Sequence, residues 1–112
     1  MATWDDVVTI ASALPEVEET TSWNTPSLKV RGKLFARLRS EDDGGLALAC
    51  PADEKAAHLA SGHEEFYTTP HYDGADYILV RLDKIDIGTL EECVVEAWMT
   101  RAPIRLRKDF TG

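Results

Sequence analysis

Apolar side chains recur every three or four residues at the start of the chain, and this period predicts a helix from about Trp4 to Leu14. Thr3 and Asp6 have the spacing of a capping box, in which each side chain bonds to the other residue's backbone. Pro15 should end the helix, because proline donates no hydrogen bond and disfavours helical geometry in the residue before it. The chain therefore opens with one short amphipathic helix.

Alternating apolar and polar residues follow the first helix and predict strands. Val17 to Trp23 is rich in β-branched residues, and Asn24 to Pro26 has the composition of a turn. Leu28 to Leu38 alternates around a central glycine, which is the pattern of a β-hairpin. We favour a three-residue loop, Arg31-Gly32-Lys33, because it keeps the apolar residues opposite one another. A two-residue turn with a bulge stays open, since Gly32 is not at the usual left-handed position of the longer loop.

The second half of the chain mixes helix and strand signals. Its first predicted elements are a strand at Leu46 to Cys50, a helix at Ala52 to Ala60, an optional strand at Phe66 to Thr68, a loop at Pro70 to Asp76 and a strand at Tyr77 to Leu82. The last predicted element is a helix that begins with a capping box at Thr89 and Glu92 and ends before Pro103.

The resulting order is α-β-β-β-β-α-(β)-β-α. The connections are short and there is no β-α-β alternation, so neighbouring strands are expected to be antiparallel. This order predicts an α+β fold: a two-layer sandwich in which three helices pack on an antiparallel sheet of about five strands. A length of 112 residues is that of a single domain, which we expect to span residues 1–112.

The chain is acidic overall, with twenty acids, twelve bases and a net charge of −8. Such a charge opposes general attraction to nucleic acids or anionic membranes. Nine of the bases nevertheless lie in two acid-free windows, and a basic hairpin is a candidate site for contact with phosphates. Alternatively, these charges protect a sheet edge or pair with neighbouring acids. The nine bases are Lys29, Arg31, Lys33, Arg37 and Arg39 in the first window and Arg101, Arg105, Arg107 and Lys108 in the second.

Signals for catalysis or for metal binding are absent from the sequence. Cys50 and Cys93 form no paired-cysteine motif, and His58 and His63 lack the spacing of a metal site, so we expect no cofactor or metal. Unpaired cysteines, and an N-terminus without the features of a signal peptide, favour a cytoplasmic protein with no membrane contact. No nucleophile motif is present, so the chain is not expected to be an enzyme.

The loop from Thr69 to Gly74 combines an imidazole, a phenol and a carboxylate with a proline and a glycine. Together with Trp23, the residues His71, Tyr72 and Asp73 are candidates for the rim of a small-molecule pocket. A rigid turn, with its side chains bonded to backbone, is the alternative interpretation.

Several stretches carry a resemblance to a known family. The stretches are Ala13 to Pro15, Glu18 to Trp23, Thr25-Pro26, Lys29 to Ala36, Thr69 to Tyr72, Tyr77 to Leu82, Ala97-Trp98 and Ala102-Pro103. In these stretches the chain resembles the MmcQ/YjbR family, and the run from Thr25 to Ala36 is the most specific. The resemblance implies a fold similar to that of frataxin and of type III secretion chaperones.

The resemblance also implies a function, because members of this family are commonly labelled DNA-binding on account of two projecting hairpins. The first wing would be Lys29 to Arg39. The second would span Thr69 to Arg81, where Arg81 is the only base. We therefore expect weak, sequence-independent DNA binding, or alternatively a protein partner or small ligand at Trp23, His71 and Tyr72. Iron handling, as in frataxin, would require Asp5, Asp6, Glu16, Glu18 and Glu19 to cluster.

Overall fold

The computed structural model describes residues 2–22, 24–39 and 45–111, and these residues form one antiparallel sheet of six strands with four helices. In chain order the elements are α1 (Trp4–Ala11), β1 (Val17–Ser22), β2 (Thr25–Val30), β3 (Lys33–Leu38), β4 (Gly45–Ala49), α2 (Ala52–Ala60), β5 (Phe66–Tyr67), β6 (Tyr77–Arg81), α3 (Ile87–Arg101) and α4 (Ile104–Thr111). The α+β sandwich predicted from the sequence is confirmed. The optional strand is present as β5, and α4 is an additional helix.

The capping box predicted at the start of α1 is present. The Asp6 carboxylate accepts the backbone N–H of Thr3 at 2.9 Å, and the Thr3 hydroxyl accepts the backbone N–H of Asp6 at 3.3 Å. The helix ends at Ala11, earlier than expected, because the next turn tightens: the N–H of Leu14 bonds to the carbonyl of Ala11, three residues back. Leu14 is still buried, so the apolar period extends beyond the helix itself.

The favoured three-residue hairpin loop is wrong, and the two-residue turn with a bulge is present. Val30 pairs with Lys33, so the turn consists of Arg31 and Gly32, both with positive φ (50° and 79°). Positive φ at both central residues is the geometry of a type I′ turn, whose twist matches that of a hairpin. Alternation of the apolar residues alone favours the longer loop, but the twist of the paired strands favours the two-residue turn.

A bulge in β3 restores the register that the short turn would otherwise break. Lys29 pairs with Leu34 whereas Leu28 pairs with Ala36, so Phe35 is the extra residue. Phe35 and Ala36 both enter the core between sheet and helices. Leu34 and Arg37 line a cavity on the opposite face. The bulge therefore fixes which side chains of β3 reach each face.

The strand order is β1-β2-β3-β4-β6-β5, and the two faces of the sheet differ in what covers them. Helices cover one face, over a core whose fully buried members include Leu28, Phe35 and Trp98. On the opposite face, which we call the open face, Ala47 and Leu79 pack beneath Tyr72 from the 68–76 segment that joins β5 to β6.

Helix α3 begins differently from the prediction. Its N-cap is Asp86, whose side chain accepts the backbone N–H of Thr89 at 3.1 Å, so the capping box at Thr89 and Glu92 is wrong. The helix ends at Arg101, before Pro103, and α4 then folds back so that Phe110 packs on Trp98 with 5.1 Å between ring centroids. Among the described residues, no helix is both long and apolar enough to span a membrane.

Candidate functional site

A pocket of about 520 Å³ opens on the open face of the sheet. Strands β3, β4 and β6 form its floor, and the 68–76 segment forms one wall. Its volume lies within the range typical of small-molecule sites, and its walls combine apolar surface with a few polar groups. The lining residues are Leu34, Arg37, Ala47, His71, Tyr72, Ala75 and Tyr77.

Lys55 holds the wall of the pocket in place. Its side chain is only 6% exposed, and its ammonium group donates to the carbonyl oxygens of Tyr72 and Ala75, the latter at 2.9 Å. A lysine ammonium has three protons to donate, and it reaches a third carbonyl, that of Asp73, at 3.4 Å. Because the 68–76 segment is neither a strand nor a helix, its carbonyls lack regular backbone partners, and Lys55 supplies donors to three of them.

Arg37 places a guanidinium at the floor of the pocket. The residue is 9% exposed, and its Nη2 donates to the Tyr72 hydroxyl at 2.7 Å while Nη1 donates to the Thr25 hydroxyl at 3.2 Å. Arg37 pairs with Ala47 on β4, whose small side chain leaves room above the sheet. A guanidinium is always charged and presents its donors in a planar fork, which suits a carboxylate or a phosphate.

Two further arginines lie around a tyrosine on the same face. The Arg81 guanidinium is 4.2 Å from the ring centroid of Tyr67, and Arg39 donates to the Tyr67 hydroxyl at 3.1 Å. Arg39 also lies 5.8 Å from the ring of Tyr72. Stacking of arginine on an aromatic ring is favourable and fixes the orientation of the guanidinium. Arg39 therefore lies beside Tyr72 of the pocket wall, whereas Arg81 and Tyr67 line a separate cavity on this face.

The structure brings four of the ten predicted bases to this face and a fifth to its margin, and it leaves the others elsewhere. Lys29 lies opposite Leu34 on the neighbouring strand and so points to the same side as the pocket. Arg101 reaches the margin of the pocket from α3, with its guanidinium 5.1 Å from the ring of Tyr77. The other three bases on this face are Arg37, Arg39 and Arg81. The other five bases are Arg31 and Lys33 at the hairpin turn and Arg105, Arg107 and Lys108 on α4.

Arg31 forms an ion pair with an acid. Its Nε lies 2.6 Å from the Glu16 carboxylate, and a second bond of 2.9 Å makes the pair bidentate. The hydrogen bond from Arg31 lowers the pKa of Glu16 below its ordinary value. The first predicted wing is therefore tied to the α1–β1 connection at its tip.

The second predicted wing does not project. The 68–76 segment folds against the open face, where Lys55 anchors it and Tyr72 is buried beneath it. The second hairpin of the double-wing shape that the family resemblance implied is therefore absent from this segment, which lies against the open face instead. A buried lysine that donates to three carbonyls explains the difference.

The pocket residues predicted from the sequence are partly brought together. His71 and Tyr72 line the pocket, whereas Asp73 points away and accepts the hydroxyl of Thr68 at 3.1 Å. Trp23 lies outside the described residues. Sequence reasoning missed the pocket roles of Arg37 and Lys55, because no local pattern distinguishes a buried arginine or lysine from an exposed one.

The acids considered for iron do not converge among the described residues. Asp6 caps α1, Glu16 pairs with Arg31, and Glu18 and Glu19 point to opposite faces of β1. Within residues 2–22, 24–39 and 45–111, no three of these carboxylates approach closely enough to share an ion.

Both cysteines are buried, free thiols. Burial, with repulsion from Glu96, raises the pKa of Cys50 and that of Cys93 to about 12. A thiol with such a pKa carries its proton at neutral pH, and the thiolate is the nucleophile in cysteine chemistry. Neither cysteine in this state supports nucleophilic catalysis.

Comparisons with known proteins agree with this architecture. The YjbR family model matches residues 12–100. The uncharacterised protein Rv2570 of Mycobacterium tuberculosis and the uncharacterised protein Mb2600 of Mycobacterium bovis are each 33% identical to this chain, over 98% of it and 96% of their own length. The crystal structure of the Deinococcus radiodurans protein DR2400, which carries a DUF419 family domain, superimposes with a TM-score of 0.78 at 19% identity, covering 99% of this chain and 89% of that one.

Proposed function

The chain belongs to the YjbR family, and on that premise we propose that it is a non-enzymatic binding module which holds a small organic anion in the pocket of its open face. The observation that carries the proposal is the guanidinium of Arg37, placed at the pocket floor and hydrogen-bonded to Tyr72. A charge in this position strengthens hydrogen bonds to a carboxylate or phosphate, because the surroundings are less polar than water.

The side chains of the pocket walls indicate the chemistry of the uncharged part of the ligand. Tyr72, Tyr77 and His71 present ring surfaces, and Leu34 and Ala75 add aliphatic surface. An anion with a flat apolar body would fill such a pocket and place its charged group at Arg37. The free cysteines fit a reducing compartment, so the proposal places the protein in the cytoplasm.

A titration followed by NMR tests this proposal. Benzoate and phenyl phosphate serve as anionic probes, and benzamide serves as the neutral counterpart of benzoate. We expect the anions to shift the amide signals of residues around His71 and Ala75. Benzamide should bind with an affinity at least about tenfold lower than that of benzoate, since a charged hydrogen bond contributes about 1.5–3 kcal/mol.

Variants assign the effect to Arg37. Arg37→Gln should weaken benzoate binding about tenfold or more, while Lys33→Gln, which removes a charge from the exposed end of the same strand, should leave it unchanged. His71→Ala provides a test at an exposed wall residue if the Arg37 variant does not fold. Equal binding of benzoate and benzamide, or shifts confined to residues outside the pocket, would refute the proposal.

A second candidate function is weak binding of single-stranded nucleic acid on the same face. Arg39 and Arg81 around Tyr67 supply the bases and the aromatic ring that such surfaces use. Four phosphate contacts would give a slope of about −3 in log affinity against log salt on a single strand. Arg81→Ala should make this slope less negative, whereas Arg105→Ala on α4 should not. Affinity that does not change with salt would eliminate this candidate.

A further inference from the structure

Three residues with different metal-ligating atoms meet between α2 and α3, away from the pocket. The Cys50 sulfur, a ring nitrogen of His58 and a carboxylate oxygen of Glu96 all lie within 4.8 Å of one another. Cys50 is 2% exposed, and the other two are half-buried. The group is independent of the anion pocket, because Cys50 belongs to the core on the helix side of the sheet.

The fold brings these residues together from three elements. Cys50 directly follows β4, and Pro51 begins α2 as its N-cap. His58 comes seven residues after Pro51, two helical turns further on, and its ring stacks on Phe66 with 4.3 Å between centroids. Glu96 faces the group from the third turn of α3.

We propose that Cys50, His58 and Glu96 form a binding site for a divalent transition-metal ion of the zinc type. One sulfur, one nitrogen and one oxygen donor suit a borderline ion such as Zn²⁺ rather than Mg²⁺ or Ca²⁺, which prefer oxygen alone. Three protein ligands leave the fourth tetrahedral position for water. On binding, the thiol S–H bond breaks, a metal–sulfur bond forms, and the proton passes to solvent.

The geometry needs only a small adjustment to take the ion. Ligand atoms around a tetrahedral zinc lie about 3.3–3.8 Å apart, given bond lengths of about 2.0–2.3 Å. The observed upper limit of 4.8 Å closes to this range by rotations of the partly exposed His58 and Glu96 side chains. Asp53 and Glu54, in the first turn of α2, add negative charge around Glu96 that a dication would offset.

Cobalt(II) absorption spectroscopy tests the site directly, because a tetrahedral Co²⁺–thiolate site gives a charge-transfer band and strong visible bands. We expect the wild-type protein to show both, and Zn²⁺ to displace the cobalt. Cys50→Ser should abolish the charge-transfer band, and His58→Gln and Glu96→Gln should weaken affinity about tenfold or more, since even the loss of an outer partner of a metal ligand typically costs that much.

Two variants provide matched controls. Cys93→Ser removes the other buried thiol, and His63→Gln removes an exposed histidine just beyond α2. Both should keep the band and the affinity. Loss of the band in Cys93→Ser but not in Cys50→Ser, or absence of any band in the wild-type protein, would overturn the proposal.

A second measurement does not depend on any variant folding. Zn²⁺ should raise the thermal midpoint of the wild-type protein, because an ion that binds only the folded state stabilises it by mass action, and a chelator should reverse the rise. Mg²⁺ at the same concentration should have no effect. An equal rise with Mg²⁺ would show non-specific charge neutralisation and refute the assignment.

Discussion

The ammonium group of Lys55 donates to the carbonyl oxygen of Ala75 at 2.9 Å, across the gap between α2 and the 68–76 segment. The same group bonds to the Tyr72 carbonyl, and Tyr72 in turn accepts from Arg37. One buried lysine therefore connects a helix to the wall of the pocket on the open face. The position of Tyr72, and with it the shape of the pocket, depends on this contact.

Lys55→Met should loosen the pocket and lower stability. Methionine retains the apolar part of the side chain but leaves the Ala75 carbonyl without its lysine donor, which costs about 1–3 kcal/mol, whereas the Tyr72 carbonyl keeps the N–H of Ala75. We expect a lower urea midpoint and faster amide exchange in the 68–76 segment. Lys84→Met changes an exposed lysine and should leave both unchanged. Unaltered exchange in the segment would show that Lys55 does not anchor it.

Gly32→Ala should destabilise the hairpin through its backbone alone. Gly32 has a φ of +79°, and no atom lies within 4 Å of the position of an added Cβ, so the cost comes from the left-handed conformation. That cost is about 1 kcal/mol. Gly74→Ala adds a methyl group to an equally open position without positive φ, and should be neutral or slightly stabilising. Equal effects of the two changes in urea unfolding would contradict the type I′ assignment.

Ionised Asp86 should stabilise the folded protein, so its protonation at low pH should lower the free energy of unfolding. The Thr89 hydroxyl donates to its carboxylate at 2.6 Å, and this bond, together with the Thr89 backbone N–H, lowers the pKa of Asp86 below its ordinary value of 3.8. Because the folded state then binds a proton less readily than the unfolded state, the contribution is complete above about pH 4. It is lost as the pH falls through the lowered folded-state pKa.

Asp86→Asn isolates this effect, since asparagine also caps helices but does not titrate in this range. Unfolding midpoints measured from pH 2 to pH 6 should fall less steeply with acid in the variant than in the wild-type protein. Parallel curves would mean that the charge on Asp86 does not stabilise the start of α3.

Trp98 is the largest fully buried side chain in the described part of the chain, and its indole N–H donates to the carbonyl of Pro15 at 3.0 Å. Trp98→Phe should lower the free energy of unfolding by about 2 kcal/mol, through lost packing volume and an unpaired carbonyl. Trp4→Phe, at a half-buried position on α1, should cost less. Urea unfolding followed by circular dichroism measures both, and a larger loss for the Trp4 variant would place the centre of the core elsewhere.

Local sequence signals were sufficient for the order of elements and for the capping box at Thr3 and Asp6. These features depend on residues within one or two turns of each other, so spacing and side-chain chemistry predict them. The hairpin was found for the same reason. The register of the hairpin was not predicted, because the bulge at Phe35 depends on how β3 packs against the helices. The alternation of apolar residues that favoured the longer loop also carries no information about the twist of the strands.

Only the tertiary structure determined the two sites. Arg37 and Lys55 appear in the sequence as ordinary surface bases, yet packing buries both beside Tyr72. Cys50, His58 and Glu96 belong to no motif, because three separate elements bring their side chains together. A chain fixes the chemistry of each residue by itself, but distances between residues far apart in sequence follow from strand order and from the packing of helices on the sheet.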